Sequence, residues 1–350
     1  MSITTGTNNI AMSYRLTREP IDLALGEASI IRENFVASFG LENQLFTTEL
    51  CPASCAYPPP KGHAPLVKML EDIHEAPVII CNGAKQALAA VMYSMLRSNK
   101  KFLGYKSPYW SYIPQLAARM GLKSEAVVPN DMTKEYCDCY LGVEPNNPCG
   151  AIDDYITLKF LADAHKSFGI PFIHDAAYYT PVYLPDDYHL GPLGNVQIFS
   201  ISKMYGLSGL RLGYVVAYDA EIYQHVLDYM EHMTVGVSVP SQEIMCEVLQ
   251  AIKNNPADER KFVVRCRNDL YKAKFFARTI NQNIIEVPDN VEHTVGMFLW
   301  AKVKNKLAFE NAKVNVAWGA GFGNKDYVRI NLAAPIEKLT EAISRLNECR

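Results

Sequence analysis

The sequence predicts an α/β fold in which a mostly parallel sheet, with helices on both faces, is joined to a smaller α+β domain. Two patterns predict this fold. Short apolar strands alternate with helical segments through the middle of the chain, as they do in parallel sheets. Beyond about Ser241, long helices precede a second group of strands. The length of 350 residues is enough for two domains.

The predicted strands of the larger domain are short and apolar. The first, Val78–Cys81, stops at Asn82 and Gly83, where a helix begins. Apolar side chains from 84 to 95 recur at helical spacing, so one face of that helix is apolar. Further strands are predicted at 101–105, 140–143, 171–174, 196–200 and 213–217, and a further helix at 156–168.

The smaller domain is predicted mainly from the C-terminal third of the chain. Its helices are expected at 242–253, 257–279 and 336–346, and its strands within 293–303 and 327–332. The N-terminal segment is expected to join it. The sequence thus predicts a larger domain from residues 45–250 and a smaller one from residues 1–44 and 251–350.

Charge and composition narrow the class of partners. The net charge is −3, which gives no electrostatic reason to expect binding to nucleic acid or to an anionic membrane surface. No apolar run approaches the roughly 18 residues of a membrane span. Residues 1–15 lack the pattern of a secretion signal, so a cytoplasmic protein is expected.

The nine cysteines are expected to be reduced thiols. Only Cys51 with Cys55, and Cys137 with Cys139, are close in sequence. Neither pair is followed by a second pair at the spacing of a zinc site, so no metal is predicted.

Polar and aromatic residues follow the ends of the predicted strands. They are Asn82 to Ala84, Ser107 to Trp110, Asn146 to Pro148, Asp175 and Lys203. Ligands of open parallel sheets bind at the carboxyl edge of the strands. The distribution therefore predicts one site, built from several loops at that edge.

Lys203 indicates the chemistry of this site. It follows two serines, Ser200 and Ser202, and precedes Arg211, while Asp175 lies upstream. A lysine can form a Schiff base with pyridoxal phosphate (PLP), and a buried aspartate can keep the pyridine nitrogen protonated. Hydroxyls and an arginine can hold the phosphate. Together these residues predict a PLP site.

On these motifs the chain resembles a fold-type I PLP enzyme of the class I/II aminotransferase family, from about residue 25 to residue 346. The segments Asn-Gly-Ala-Lys-Gln-Ala-Leu (82–88) and Pro-Tyr-Trp-Ser-Tyr (108–112) are most similar to the bacterial aspartate and prephenate aminotransferase branch. The resemblance implies that Lys203, Asp175 and Tyr178 are catalytic. Lys203 would carry the cofactor, and Asp175 would pair with its pyridinium nitrogen.

The resemblance also assigns the remaining contacts to the cofactor. Tyr178 and Asn147 would hydrogen-bond the ring O3′, and Trp110 would stack on the ring, with Tyr109 as the alternative. The phosphate would be held by Ser200, Arg211, Gly83, Ala84 and Lys85, the last three at a helix N-terminus. Tyr57 would reach the phosphate of a neighbouring subunit, which implies a homodimer with shared active sites.

Arg329 resembles the arginine that binds the substrate α-carboxylate in this family, and Asn147 would assist it. Gly26 lies in a segment similar to the family's Gly-Glu-Pro-Asp substrate loop, although Ala28 and Ser29 replace Pro-Asp here. The usual Asn-Pro-Thr-Gly also has Cys149 in place of threonine. Lys85 has two further interpretations, as a partner of a substrate's distal carboxylate or as a solvated lysine.

The expected function is a PLP-dependent aminotransferase that moves an amino group between an amino acid and a 2-oxo acid by a ping-pong mechanism. Another PLP reaction on the same scaffold is the alternative: β-elimination at a C–S bond, a cyclase or a decarboxylase. A regulatory PLP-binding domain without turnover is disfavoured, because few residues precede Leu25 and such proteins usually carry a winged helix there.

Overall fold

The structure, a computed structural model, describes residues 19–40, 56–127 and 137–349. Its strands are β1 (Ile21–Asp22), β2 (Val78–Cys81), β3 (Phe102–Tyr105), β4 (Lys123–Ala126), β5 (Cys139–Val143), β6 (Phe172–Asp175), β7 (Val196–Ser200), β8 (Gly213–Ala217), β9 (Ile285–Glu286), β10 (Phe298–Val303), β11 (Val314–Asn315), β12 (Ala317–Trp318) and β13 (Tyr327–Asn331). Its α-helices are α1 (Ser29–Phe39), α2 (Ala64–His74), α3 (Gly83–Arg97), α4 (Tyr112–Met120), α5 (Tyr155–Ser167), α6 (Ile201–Met204), α7 (Ala220–Met233), α8 (Val239–Asn254), α9 (Pro256–Ala277), α10 (Lys306–Ala312) and α11 (Ile336–Glu348).

A seven-stranded sheet in the order β2-β8-β7-β6-β5-β3-β4 forms the centre of the larger part. Strand β8 runs antiparallel to both β2 and β7, and the other pairs are parallel. Strands β2, β5, β6, β7 and β8 are buried along their whole length, which requires cover on both faces. The predicted mostly parallel α/β sheet is confirmed.

The smaller part contains an antiparallel sheet in the order β12-β13-β10-β9, and the short parallel pair β1-β11. Apolar residues of β10, β13, α10 and α11 form its core, among them Leu299, Val328, Phe309 and Leu339. Strand β1 pairs with β11, so segments from the first and last parts of the described chain meet here. This agrees with the predicted α+β part.

Helix α9 contributes to both cores. Phe262, Cys266 and Leu270 pack in the larger core, whereas Ala273 and Ala277 pack in the smaller one. The N-terminal segment behaves in the same way, because β1 joins the smaller core and α1 packs against the larger. The domain boundary at residue 250 stays a prediction.

Where the sequence predicted an element, the observed bounds differ from the predicted ones by a few residues, with one larger difference, and several further elements had no predicted range. The strand expected within 293–303 begins at Phe298, because Val291–His293 forms a 3-10 turn before it. Strand β4 was not predicted, since three of its four residues are exposed and polar side chains dominate it at the sheet edge. No helix of the described residues is long and apolar enough to cross a membrane.

Candidate active site

A cavity of about 450 Å³ lies at the carboxyl edge of the large sheet. The predicted site residues in its wall are Gly26, Ala84, Lys85, Trp110, Asn147, Asp175, Tyr178, Ser200, Lys203 and Arg211. They come from the loops that follow β2, β3, β5, β6 and β7, and from the N-terminal segment before α1. The structure thus brings most of the predicted residues together. Gly83, Arg329 and Tyr57 lie outside this wall.

Lys203 lies in α6, which directly follows β7. Its Nζ donates a hydrogen bond to the carbonyl oxygen of Gly26. Burial lowers the pKa of this ammonium to about 8, with smaller contributions from Arg329 and Arg211, while Glu27 opposes the shift. A substantial fraction of Lys203 is therefore a neutral amine near pH 8, which is the form that acts as a nucleophile or a base.

Asp175 ends strand β6 and is 4% exposed. Within the described residues, its carboxylate accepts one hydrogen bond, 3.1 Å from the Ala177 amide. Burial raises the pKa of Asp175 to about 6 because this single donor offsets little of the desolvation. A buried carboxylate with so few partners suits a cationic ligand group in the cavity.

Tyr178 and Asn147 lie on the walls beside Asp175. Both are buried, and burial raises the pKa of the Tyr178 phenol above its ordinary value. The Tyr178 ring packs edge-on against Phe298, with 5.9 Å between the centroids. Asn147 Oδ1 accepts a 2.9 Å hydrogen bond from Arg329 Nη1. No described residue accepts a hydrogen bond from the amide nitrogen of Asn147, so this nitrogen remains as a donor.

The end of the cavity near Arg211 has the properties of an anion site. Gly83 opens α3 with φ of 75°, and a Cβ at this position would lie 2.9 Å from Arg211 Nη2. Arg211 itself has φ of 54° and donates from Nη1 to the Ser208 carbonyl at 2.9 Å. A guanidinium beside the amides of a helix N-terminus attracts a phosphate. Ser200 and Ala84 line the same cavity.

Trp110 lines the cavity, whereas Tyr109 packs against Tyr105 with 4.8 Å between the ring centroids. The structure therefore favours Trp110 over Tyr109 as the ring that a planar ligand contacts. Lys85 is exposed, and its Nζ lies 4.2 Å from the ring centroid of Tyr112 and 5.7 Å from that of Trp110. Such cation–π contacts hold the ammonium at the cavity without neutralising it.

Arg329 reaches the site from β13 of the smaller sheet and is 6% exposed. Its guanidinium packs over Phe298 and Phe322, at 4.1 and 5.0 Å from their ring centroids. Nη2 donates to the Ala24 carbonyl at 2.6 Å. Among the described residues, Nε is buried and has no hydrogen-bond partner. A buried, unsatisfied N–H is costly, so this atom points to a missing acceptor such as a ligand carboxylate.

Sequence reasoning missed the contacts that hold the N-terminal segment over the cavity. Ser208 Oγ donates to Glu27 Oε1 at 3.0 Å, and Glu27 pairs with Arg32 at 2.7 Å. Gly26 allows this approach, since a Cβ there would lie 3.2 Å from Phe298 Cζ. The position of Ser208 between Lys203 and Arg211 was a usable signal. No such signal in the sequence marked Phe298, because it occupies an ordinary apolar position in a strand.

Tyr57 lies away from the cavity of its own chain, and its side chain is 89% exposed. Within the described ranges, no group of three or more histidine, cysteine, aspartate or glutamate side chains is placed to hold a metal ion. Cys137 and Cys139 are buried. Cys51 and Cys55 lie outside the described residues.

The sequence model of the family described as allinase matches residues 72–349. This span contains the whole central sheet, Lys203 and Arg329. The chain belongs to the allinase family. Gly26 and Tyr57 precede the matched span.

Curated relatives of this allinase-family chain include two bacterial aminotransferases. It is 25% identical to the aspartate aminotransferase of Thermotoga maritima over 304 residues, which cover 79% of this chain and 76% of the relative. It is 27% identical to the L-glutamine–4-(methylsulfanyl)-2-oxobutanoate aminotransferase of Bacillus subtilis over 308 residues, which cover 78% and 73%. Among solved structures, aspartate aminotransferase from Thermus thermophilus with maleate matches with a TM-score of 0.78 and 18% identity, covering 100% of this chain and 97% of that one.

These comparisons confirm the predicted resemblance to fold-type I aminotransferases and the prediction of a transferase. The structural match supports the fold alone, because the identity is low. The curated relatives support amino-group transfer and do not favour the elimination, cyclase or decarboxylase alternatives.

Proposed function

We propose that this allinase-family protein is a PLP-dependent aminotransferase that uses an amino acid as donor and a 2-oxo acid as acceptor. One observation carries the proposal. One cavity is lined by Lys203, with its pKa lowered to about 8, by buried Asp175, which has a single hydrogen-bond donor among the described residues, and by the anion site at Arg211. Such a cavity would support the amino-group transfer that the relatives' names describe.

The residues present fit PLP. Asp175 would hold the pyridine nitrogen, and Trp110 would cover the ring. Ser200, Arg211 and the amides at the start of α3 would hold the phosphate, and the missing side chain of Gly83 leaves room for it beside Arg211. Asn147 and Tyr178 would contact O3′. When bound, PLP supplies an electron sink that stabilises negative charge at the substrate Cα.

Lys203 is the proposed proton carrier. Its lowered pKa matches a base that takes the Cα proton and returns it near neutral pH. The Gly26 carbonyl holds Nζ in the cavity, which limits the positions that the amine can take. Cationic Arg211 and Arg329 nearby disfavour the ammonium form, so the base stays available.

Arg329 would hold the substrate α-carboxylate. Its Nη groups are engaged by Asn147 and Ala24, while Nε lacks an acceptor within the described part of the chain. A carboxylate bound at this edge would satisfy Nε and orient the Cα–H bond toward Lys203. Because donor and acceptor both carry an α-carboxylate, one arginine serves both half-reactions. Lys85 would favour dicarboxylic substrates by facing their distal carboxylate.

We also infer a homodimer with shared active sites and a cytoplasmic location. Tyr57 is 89% exposed and lies outside the cavity of its own chain, as a residue that acts on a neighbouring subunit would. The buried residues Cys81, Cys139 and Cys266 carry free thiols, which suits a reducing compartment.

Half-reaction spectroscopy tests the proposal. PLP-loaded protein is mixed with single amino acids, and the visible absorbance and products are followed. We expect donors to bleach the absorbance and yield their 2-oxo acids in one equivalent per site. Release of ammonia and pyruvate from serine or cysteine, without bleaching, would indicate β-elimination instead.

A further inference from the structure

A second cavity, of about 390 Å³, lies on the other side of helix α6 from the active site. Ile201 and Met204 of α6 line this second cavity, whereas Ser202 and Lys203 line the active-site cavity. The same alternation holds in β7, where Phe199 faces the second cavity and Ser200 the first. The two cavities therefore share walls but have separate linings.

The wall of the second cavity includes six tyrosine and phenylalanine rings, beside aliphatic side chains. The rings are Tyr179, Phe199, Tyr205, Tyr214, Tyr218 and Phe262. Phe199 and Tyr214 are stacked, with 5.0 Å between their centroids and 16° between their planes. Faces of aromatic rings are electron-rich and attract cations. A volume of this size is in the range of small-molecule sites.

The charged groups of this cavity are acidic. Its described wall contains the carboxylates of Glu75 and Glu259, and it contains neither lysine nor arginine. Among the described residues, the Glu259 side chain has no hydrogen bond or ion pair, and burial raises its pKa. The neighbouring Asp258, in contrast, is paired with Lys261 at 2.8 Å.

Two basic groups near the cavity do not balance this charge. His74 lies in the wall, where burial lowers its pKa to about 4, so the ring is neutral at pH 7. Its Nε2 lies 3.1 Å from the Tyr214 hydroxyl. Arg267 donates from Nε to the carbonyl of Pro181 at 2.9 Å, but its Nη1 pairs with Asp186.

We propose that this cavity binds a small aromatic amine that lacks a carboxylate, with its ammonium at Glu259 and its ring among the aromatic side chains. An amino acid fits poorly, because its carboxylate would meet two acidic residues and no cation of the wall. The active-site cavity differs in this respect, since its wall contains Lys85, Lys203 and Arg211 beside the carboxylates of Glu27 and Asp175. The second cavity thus has a ligand class of its own, whatever reaction the first one performs.

A ligand can reach the cavity from solvent. Ile73 and Leu190 lie in its wall and are 60% and 39% exposed, so they mark an open rim. Val263, which directly follows Phe262 in α9, also lies in the wall. A larger side chain at Val263 would reduce the second cavity, and Val263 does not line the active-site cavity.

Calorimetric titration with 2-phenylethylamine tests the proposal. The uncharged 2-phenylethanol has the same ring and chain length and serves as the ligand control. The variants are Glu259→Gln, Val263→Trp and the matched control Asp258→Asn, an acid on the same helix that lies outside the wall. The cofactor-loaded protein is used throughout, and thermal unfolding checks that each variant is folded.

We expect the amine to bind wild type and Asp258→Asn equally, and Glu259→Gln at least about tenfold more weakly, as for loss of a charge-assisted contact. Val263→Trp should abolish this binding. A crystal structure with the amine should place it beside Glu259. Equal binding by Glu259→Gln, equal binding of the alcohol, or the amine found only in the active-site cavity would overturn the proposal. Binding of the amine in the active-site cavity alone would persist in both Glu259→Gln and Val263→Trp, which distinguishes it from binding in the second cavity.

Discussion

Arg329 Nη1 donates a 2.9 Å hydrogen bond to Oδ1 of Asn147. The bond joins strand β13 of the smaller sheet to the loop that follows β5 of the larger one. Both side chains are 6% exposed, and Phe298 and Phe322 cover the guanidinium. The arginine is therefore fixed in one orientation before substrate arrives, so little ordering remains to be done on binding.

Arg329→Lys should lower kcat/KM by about a hundredfold, mainly through a higher KM, because a lysine cannot present the planar fork that a carboxylate binds. Steady-state kinetics with a single amino-acid donor measures this change in kcat/KM. Arg345→Lys is the matched control, since Arg345 is also a buried arginine of the smaller part but pairs with Glu341. Similar effects in both variants would assign Arg329 a structural role.

Borohydride reduction of the PLP-loaded protein should fix the cofactor on Lys203 alone. The protein supplies its own control in Lys274, whose pKa is also lowered to about 8 by burial but whose Nζ donates to the Thr294 carbonyl away from the cavity. Peptide mapping by mass spectrometry identifies the labelled residue. Label on Lys274, or on both lysines, would mean that a lowered pKa and not the cavity selects the residue.

Asp175→Asn should keep some PLP but lose about a hundredfold in kcat, roughly 3 kcal/mol, because an amide cannot hold a protonated pyridine.

The Asp175→Asn substitution should also change the stability of the cofactor-free protein. The folded pKa of about 6 lies above the ordinary 3.8, so ionisation of Asp175 destabilises the fold as pH rises from about 4 to about 6. In denaturant unfolding of cofactor-free protein, the Asp175→Asn variant should gain more stability over wild type at pH 7 than at pH 5. An equal gain at both pH values would contradict the burial argument.

Tyr57 should act across a subunit interface. Lys203→Ala and Tyr57→Ala protomers, each impaired alone, should regain activity when mixed into hybrid dimers, because one of the two sites then has both residues. Tyr271→Ala provides the control, since Tyr271 is another tyrosine with a largely exposed side chain, at 56%. Sedimentation as a monomer, or hybrids without regained activity, would argue against shared sites.

Lys85→Ala should lower kcat/KM for glutamate about tenfold or more while changing it little for a neutral amino acid. The reason is the position of its ammonium, which lies over Tyr112 and Trp110 with no carboxylate partner among the described residues. Equal losses for both donors, together with weaker PLP binding, would assign Lys85 to the cofactor phosphate.

The strand ends made most of the active-site cavity predictable. Lys203, Asp175 and Asn147 each follow or end a short apolar strand, and parallel strands bring their carboxyl ends to one edge. Residue type and local spacing were therefore enough for these positions. The preference for Trp110 over Tyr109 depends on tertiary packing, because both rings lie in one loop and only their packing distinguishes them.

Contacts between segments that are distant in the chain could not be predicted from the sequence. Glu27 contacts Ser208 and Arg329 contacts Ala24, at sequence separations of 181 and 305 residues. Neither pair has a periodic or spacing signal, because the partners are chosen by how the smaller part folds back on the larger. The second cavity was equally hidden, since Phe199, Tyr214 and Phe262 have the pattern of ordinary apolar positions of β7, β8 and α9.

Helix α9 sets a limit on how this chain can be divided. Its 22 residues form a rod of roughly 33 Å, with Phe262 in one core and Ala277 in the other. A cut at residue 250 would leave the C-terminal fragment with Phe262, Cys266 and Leu270 uncovered. The two fragments should therefore aggregate when expressed separately and assemble when expressed together. The helix is a structural element that both parts require in order to fold.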